Sequence, residues 1–209
     1  KKEVHKNVSI TRIPYLLKIN KGFFMPTYVF AAFRLIKQSD MVIINLPQAE
    51  GFIAALIGRL LGKRVYCVYH CEVVLPRNLP NLFIETVLHL ANGASLLLAD
   101  KVITYTEDYA KHAKLLPFFS KKLSFIYPPI PLPIVNTEVK NEFERRLPRK
   151  VRYRIGVAAR IAAEKGVEYL LEAIPIIEKS LRAEFIILVA GPKNPAGEEA
   201  YWKTLTPLL

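Results

Sequence analysis

Apolar and polar positions along this chain follow two periods in turn, and the switching between them predicts alternating strands and helices. Residues 8–13 alternate and predict a strand, and residues 27–37 repeat at helical spacing. Residues 41–46 are a continuous apolar run, the pattern of a strand covered on both faces. Residues 51–61 predict a helix ended by Gly62, a typical residue just past a helix C-terminus. Residues 64–70 predict the next strand. Residues 79–98 form a long apolar helix, which Asn92-Gly93 is placed to kink or interrupt. Residues 101–105 predict a strand, and Thr106 then caps a helix whose first turn carries Glu107 and Asp108. Residues 123–126 predict a short strand.

The pattern changes at Tyr127-Pro-Pro-Ile-Pro-Leu-Pro133, whose prolines exclude helix and remove strand donors. A charged stretch, 138–150, follows, and residues 127–150 read as an interdomain linker. A new series then begins: a strand at 153–157, an amphipathic helix reaching Pro175, a strand at 185–191 and a helix at 196–205. The expected organisation is a first domain over 1–126 and the start of a second over 151–209. A strand–helix–strand unit as small as the second would leave sheet edges and one face uncovered. The expected class is α/β with parallel sheets.

Composition narrows the picture. A chain of 209 residues, 52% hydrophobic, can bury a sizeable core. The net charge of +12 points to anionic partners, whether nucleic acid, acidic lipid headgroups or nucleotide phosphates. No stretch reaches the roughly 18 uncharged apolar residues of a spanning helix, residues 86–99 being the nearest. Two cysteines make no disulfide framework, and Cys67 and Cys71 on one strand would lie roughly 13 Å apart, too far to bridge. Reduced thiols suit a cytoplasmic protein, one that can sit at the membrane surface.

The most telling residues lie at the turn after strand 153–157, where Arg160, Glu164, Lys165 and Gly166 open a helix. Ligands of open α/β sheets bind outside the carboxyl ends of strands, and two cations beside free helix N–H groups suit a diphosphate. This stretch resembles the donor-binding motif of family-four retaining glycosyltransferases, which have the GT-B fold. Arg160, Glu164, Lys165 and Gly166 match the family as they stand, while Ala159 takes the place of a usual glycine. The likeness extends through Leu170, Leu171, Ala173 and Ile174 to the turn at Gly191-Pro192.

The resemblance implies two Rossmann-like domains with the active site in the cleft between them. It makes 1–126 an acceptor-side domain lacking its first strand, and 151–209 the opening of an incomplete nucleotide-sugar-binding domain. It implies transfer of a hexose from a nucleotide-diphosphate sugar to a hydroxyl on a sugar or lipid-linked acceptor, by a fragment inactive alone. His70, at the end of strand 64–70, matches the family's histidine facing the sugar. Arg160 and Lys165 would stabilise the leaving diphosphate, and Glu164, Gly166 and Gly191 would complete the donor site. Glu72, Asn45 to Gln48 and Leu75 to Arg77 are further crevice positions.

No metal or cofactor is expected. Cys67, His70 and Cys71 lack a second cluster that would make a zinc site, and no Asp-x-Asp motif is present. Phe23-Phe24-Met25 and Leu116 to Lys122 join aromatics to lysines in the manner of a membrane-docking patch. Arg145, Arg146, Arg149, Lys150, Arg152 and Arg154 form the densest basic run. Two alternatives stand beside the transferase: a nucleotide-sugar epimerase of the same fold, and a non-catalytic basic protein binding membrane or nucleic acid. No helix-turn-helix, zinc-finger or RNA-binding aromatic signature supports nucleic acid.

Overall fold

Two short antiparallel hairpins open the chain in the computed structural model: β1 (Lys2–His5) with β2 (Val8–Thr11), and β3 (Leu17–Ile19) with β4 (Gly22–Phe24). The residues described are 2–19, 22–75, 77–130, 132–148, 151–192 and 199–208. The first hairpin turns on Lys6 and Asn7, both at positive φ, as a two-residue turn between twisted strands requires. The strand expected at 8–13 therefore ends at Thr11 and pairs with its neighbour in sequence.

A regular series follows. It runs α1 (Tyr28–Lys37), β5 (Met41–Leu46), α2 (Gly51–Leu60), β6 (Arg64–Tyr69), α3 (Leu79–Leu98), β7 (Lys101–Thr104), α4 (Glu107–His112), a 3-10 segment (Leu116–Lys122) and β8 (Leu123–Phe125). These four strands form one parallel sheet in the order β5-β6-β7-β8. The class is α/β with a Rossmann-like parallel sheet, as expected. The chain divides into two compact units, Lys1–Pro131 and Leu132–Leu209.

Strand order explains one departure from the sequence reading. Right-handed crossovers that add each strand beside the last set their helices on one face of the sheet. Val42, Ile44 and Leu46 of β5 are buried beneath those helices, as are Val65, Cys67 and Tyr69 of β6. Met41 and Ile43 stay exposed, Ile43 at 59%. The apolar run of β5 is thus covered on one face, not two, among the described residues.

Helix α2 approaches the sheet through Gly51, Ala54, Ala55 and Gly58, a face of small residues at helical spacing. A Cβ on Gly58 would stand 2.8 Å from Val65 Cγ2, so the approach depends on its absence. The 20-residue α3 runs unbroken through Asn92-Gly93, contrary to the expected kink. Asn92 is 4% exposed, and its side-chain oxygen accepts from Gln48 N at 3.2 Å, which offsets part of the cost of burying its amide. Lys122 donates to the carbonyls of Leu96, Leu97 and Ala99 at 3.3, 2.6 and 2.7 Å, capping the helix C-terminus with a cation. By length and composition α3 is apolar enough to cross a membrane, a correction to the estimate from residues 86–99. Its Ser95 and Leu96 are buried in the unit's core.

In the second unit, α5 (Thr137–Arg146) occupies part of the stretch read as linker. Asn136 caps it, its side chain accepting from Glu138 N and Val139 N, and none of its residues is buried. Then come β9 (Tyr153–Ala158), a 3-10 turn (Ala163–Lys165), α6 (Val167–Glu172), α7 (Ile174–Leu181), β10 (Phe185–Ala190) and α8 (Glu199–Leu205). The predicted helix through Pro175 is two helices, because Pro175 lacks an N–H and sits in the first turn of α7. Strands β9 and β10 pair in parallel, Tyr153 opposite Phe185 through Ala158 opposite Ala190. Ala162, Val167 and Leu205 are the buried apolar residues described here.

Candidate functional site

The candidate residues fall at the carboxyl ends of parallel strands in both units. In the first unit, Asn45 is the penultimate residue of β5 and His70 directly follows β6. Tyr105 directly follows β7. The period of two along each strand places these three with Ile43, Val68 and Ile103, on the face without helices. His70 Nε2 lies 2.8 Å from Asn45 Oδ1, and its Nδ1 is hydrogen-bonded to the Tyr105 hydroxyl. The two rings are tilted at 53° with centroids 5.6 Å apart. Sequence reasoning named His70 and Asn45 and missed Tyr105. The missing signal was positional: Tyr105 stands one residue past its strand, as His70 does.

Glu72 is directed elsewhere. Its carboxylate accepts from the backbone N of Lys114, which ties the loop after β6 to the chain beyond α4. It is a structural anchor and has no hydrogen bond to His70. Behind the row, burial pushes the Tyr109 phenol up to about 12, with the Glu72 carboxylate adding to the effect. Burial likewise pushes the Cys67 thiol up to about 12, against a smaller pull from Lys122. Cys67 and Cys71 are both free, the first buried and the second exposed. Among the described residues no group of three His, Cys, Asp or Glu side chains comes together as a metal site.

In the second unit the loop from β9 to α6 carries the remaining candidates. Arg160 Nη2 lies 2.7 Å from Glu164 Oε1, and both side chains are about half exposed. Lys165 is exposed, and no ion pair to it is found among the described residues. Gly166 has φ +62°, a left-handed conformation that links the 3-10 turn to α6. Gly191, after β10, meets this loop at backbone level: a Cβ there would be 2.0 Å from the Ala159 carbonyl oxygen. Ala159 N donates to Ala190 O at 3.0 Å, and Ile161 N to Pro192 O at 3.2 Å. The two strand ends are thus locked together, with Arg160, Glu164, Lys165, Gly166 and Gly191 in one neighbourhood.

One expectation fails here. The N–H groups at the start of α6 are not free, since Val167 N and Glu168 N donate to the Tyr201 hydroxyl at 3.0 and 3.4 Å. That hydroxyl in turn donates to the Glu168 carboxylate. Tyr201 comes from α8 and answers the same unpaired donors that a diphosphate was expected to answer. Arg160 and Lys165 are the two cations of this loop.

The two segments expected to form a membrane-docking patch differ in burial. Leu116 is fully buried and Lys122 caps α3, while Phe118 is 81% exposed. Phe23 and Phe24 are exposed, with Tyr15 and Lys18 against the Phe23 ring. In the basic run, Arg146 pairs with Glu142 and Arg152 lies over the Tyr153 ring, while Arg149 and Lys150 fall outside the described residues. A shallow depression of about 550 Å³ lies at the opposite, amino-terminal end of the four-stranded sheet. It is bordered by Lys63, Arg64 and Lys101 and by Arg59, which is paired with Asp100 at 2.6 Å. Within that sheet it lies at the end away from Asn45, His70 and Tyr105.

No family model matches the chain, and no curated protein matches it. Among solved structures, one of Staphylococcus aureus MnaA with UDP is similar, at 16% identity and a TM-score of 0.39. The match covers 87% of this chain and 50% of that protein, so this chain spans half its length. A likeness of that degree assigns neither a family nor an activity.

Proposed function

We propose that this chain is part of a retaining, metal-independent glycosyltransferase that takes a hexose from a nucleotide-diphosphate sugar. The observation that carries the reading is the Arg160–Glu164–Lys165 loop at the carboxyl end of β9, braced by Gly191 at the end of β10. Arg160 offers a planar fork of donors and Lys165 a point charge, which together suit adjacent phosphoryl groups. Glu164 holds the guanidinium ready until a phosphoryl oxygen replaces its carboxylate.

In the transfer, the bond from the sugar's anomeric carbon to the phosphoryl oxygen breaks, and a bond to the acceptor hydroxyl oxygen forms on the same face. The hydroxyl proton leaves with the diphosphate. Negative charge grows on that diphosphate as the sugar becomes oxocarbenium-like, and Arg160 and Lys165 stabilise the growing charge. His70 positions the sugar or the acceptor hydroxyl. The acceptor is a sugar or a lipid-linked glycan.

The test uses the full-length gene product with UDP-glucose, UDP-N-acetylglucosamine, UDP-galactose and GDP-mannose, following nucleotide release. Release from one donor, reduced about a hundredfold or more by Arg160→Ala, supports the reading and names the sugar. Isomerisation of the donor sugar with no transfer would make the protein an epimerase. No binding of any donor would overturn the diphosphate clamp and leave a non-catalytic basic protein.

A further inference from the structure

The geometry points to Tyr105 as the residue that positions His70, fixing one tautomer of its ring and, through Asn45, the hydrogen-bond polarity of the crevice. Three neighbouring strands each deliver one polar side chain to the same edge: Asn45 from β5, His70 from β6 and Tyr105 from β7. The strands hold these positions rigidly. His70 N donates to Leu46 O at 3.0 Å, which continues the β5–β6 ladder one residue beyond β6. Ile126 N donates to Thr104 O at 2.9 Å and continues the β7–β8 ladder beside Tyr105.

Polarity follows from the donor inventory. The side-chain oxygen of Asn45 is purely an acceptor, so the ring nitrogen facing it, Nε2, carries the proton. A neutral imidazole then has a bare Nδ1, which accepts from the Tyr105 hydroxyl. The direction of donation runs from Tyr105 to His70 to Asn45. Beside its acceptor Oδ1, exposed Asn45 offers a ligand its two Nδ2 hydrogens. Such an end binds an oxygen lone pair, as a hydroxyl presents. That the hydroxyl belongs to a sugar rests on the reading in the preceding section. The tautomer does not rest on it.

The test is made on the full chain labelled with ¹⁵N-histidine, by long-range proton–nitrogen correlation at mildly alkaline pH. His70→Gln identifies the resonances among the four histidines. The expected spectrum has His70 protonated at Nε2 alone, with Nδ1 at the position of a hydrogen-bonded acceptor. Tyr105→Phe should move the Nδ1 resonance to that of a free nitrogen and admit the second tautomer. With a donor sugar, the same variant should lower kcat about tenfold and leave KM nearly unchanged. A wild-type His70 protonated at Nδ1 would overturn the inference without any variant being made. So would His70 nitrogens that do not respond to Tyr105→Phe. If no donor sugar reacts but the tautomer is as expected, the proposed transferase fails and the positioning role stands.

Discussion

Gly191 owes its identity to a contact made 32 residues away in sequence: a Cβ would overlap the carbonyl oxygen of Ala159 at 2.0 Å. The obstacle is backbone, so no rotamer change relieves it. Gly191→Ala should destabilise the second unit by about 3 kcal/mol, an overpacking cost at the upper end of the usual range. Urea unfolding followed by Trp202 fluorescence measures it, and a change under about 0.5 kcal/mol would contradict the close approach. The sequence marked Gly191 as a turn residue and as part of a motif. It held no sign of the contact, which needs β9 and β10 paired in register. Tyr201 was hidden for the same reason, since it meets Val167 across a separation of 34 residues. Arg160 and Glu164 were legible because they stand in a short contiguous motif at the turn after a predicted strand.

At the scale of elements, apolar runs located the strands well and described their surroundings poorly. The 41–46 run coincides with β5, but a run without alternation cannot say which side stays open. That is decided by strand order, a property of the whole sheet. Ile43 and Ile44 separate the two sides. Ile43→Lys on the exposed face should change stability by less than about 0.5 kcal/mol. Ile44→Lys, at a position 3% exposed, should prevent cooperative unfolding from being seen, since an unpaired ammonium there costs several kcal/mol. Thermal denaturation of both variants decides it, and equal losses would mean both faces are covered. Helix α5 was illegible for the opposite reason: its residues are nearly all polar, so no periodicity announced it, and Asn136 alone gave a start signal.

For the molecule as a whole, three weakly acidic groups shielded within the first unit contribute to the response to alkali. Burial raises Cys67 from 9.0 to about 12 and Tyr109 from 10.0 to about 12, and raises Tyr69 as well. The folded chain therefore keeps these protons at pH values where the unfolded chain has lost them. Their stabilisation is complete below about pH 8 and declines as the pH climbs toward 12. The urea midpoint should fall between about pH 8 and about pH 11, and a flat profile would show these groups to be reachable by water. Tyrosine absorbance should show most of the ten phenols ionising first, with a late fraction that appears only on unfolding.

The face of the four-stranded sheet that lacks helices bears on how the protein behaves as a colloid. Met41 and Ile43 lie on β5, which among the described residues pairs with β6 alone, so apolar side chains meet an open strand edge along one border. Borders of this kind recruit other chains by strand addition. A solution of this chain should cloud sooner as its concentration rises, and a charge at Ile43, outside the core, should delay that.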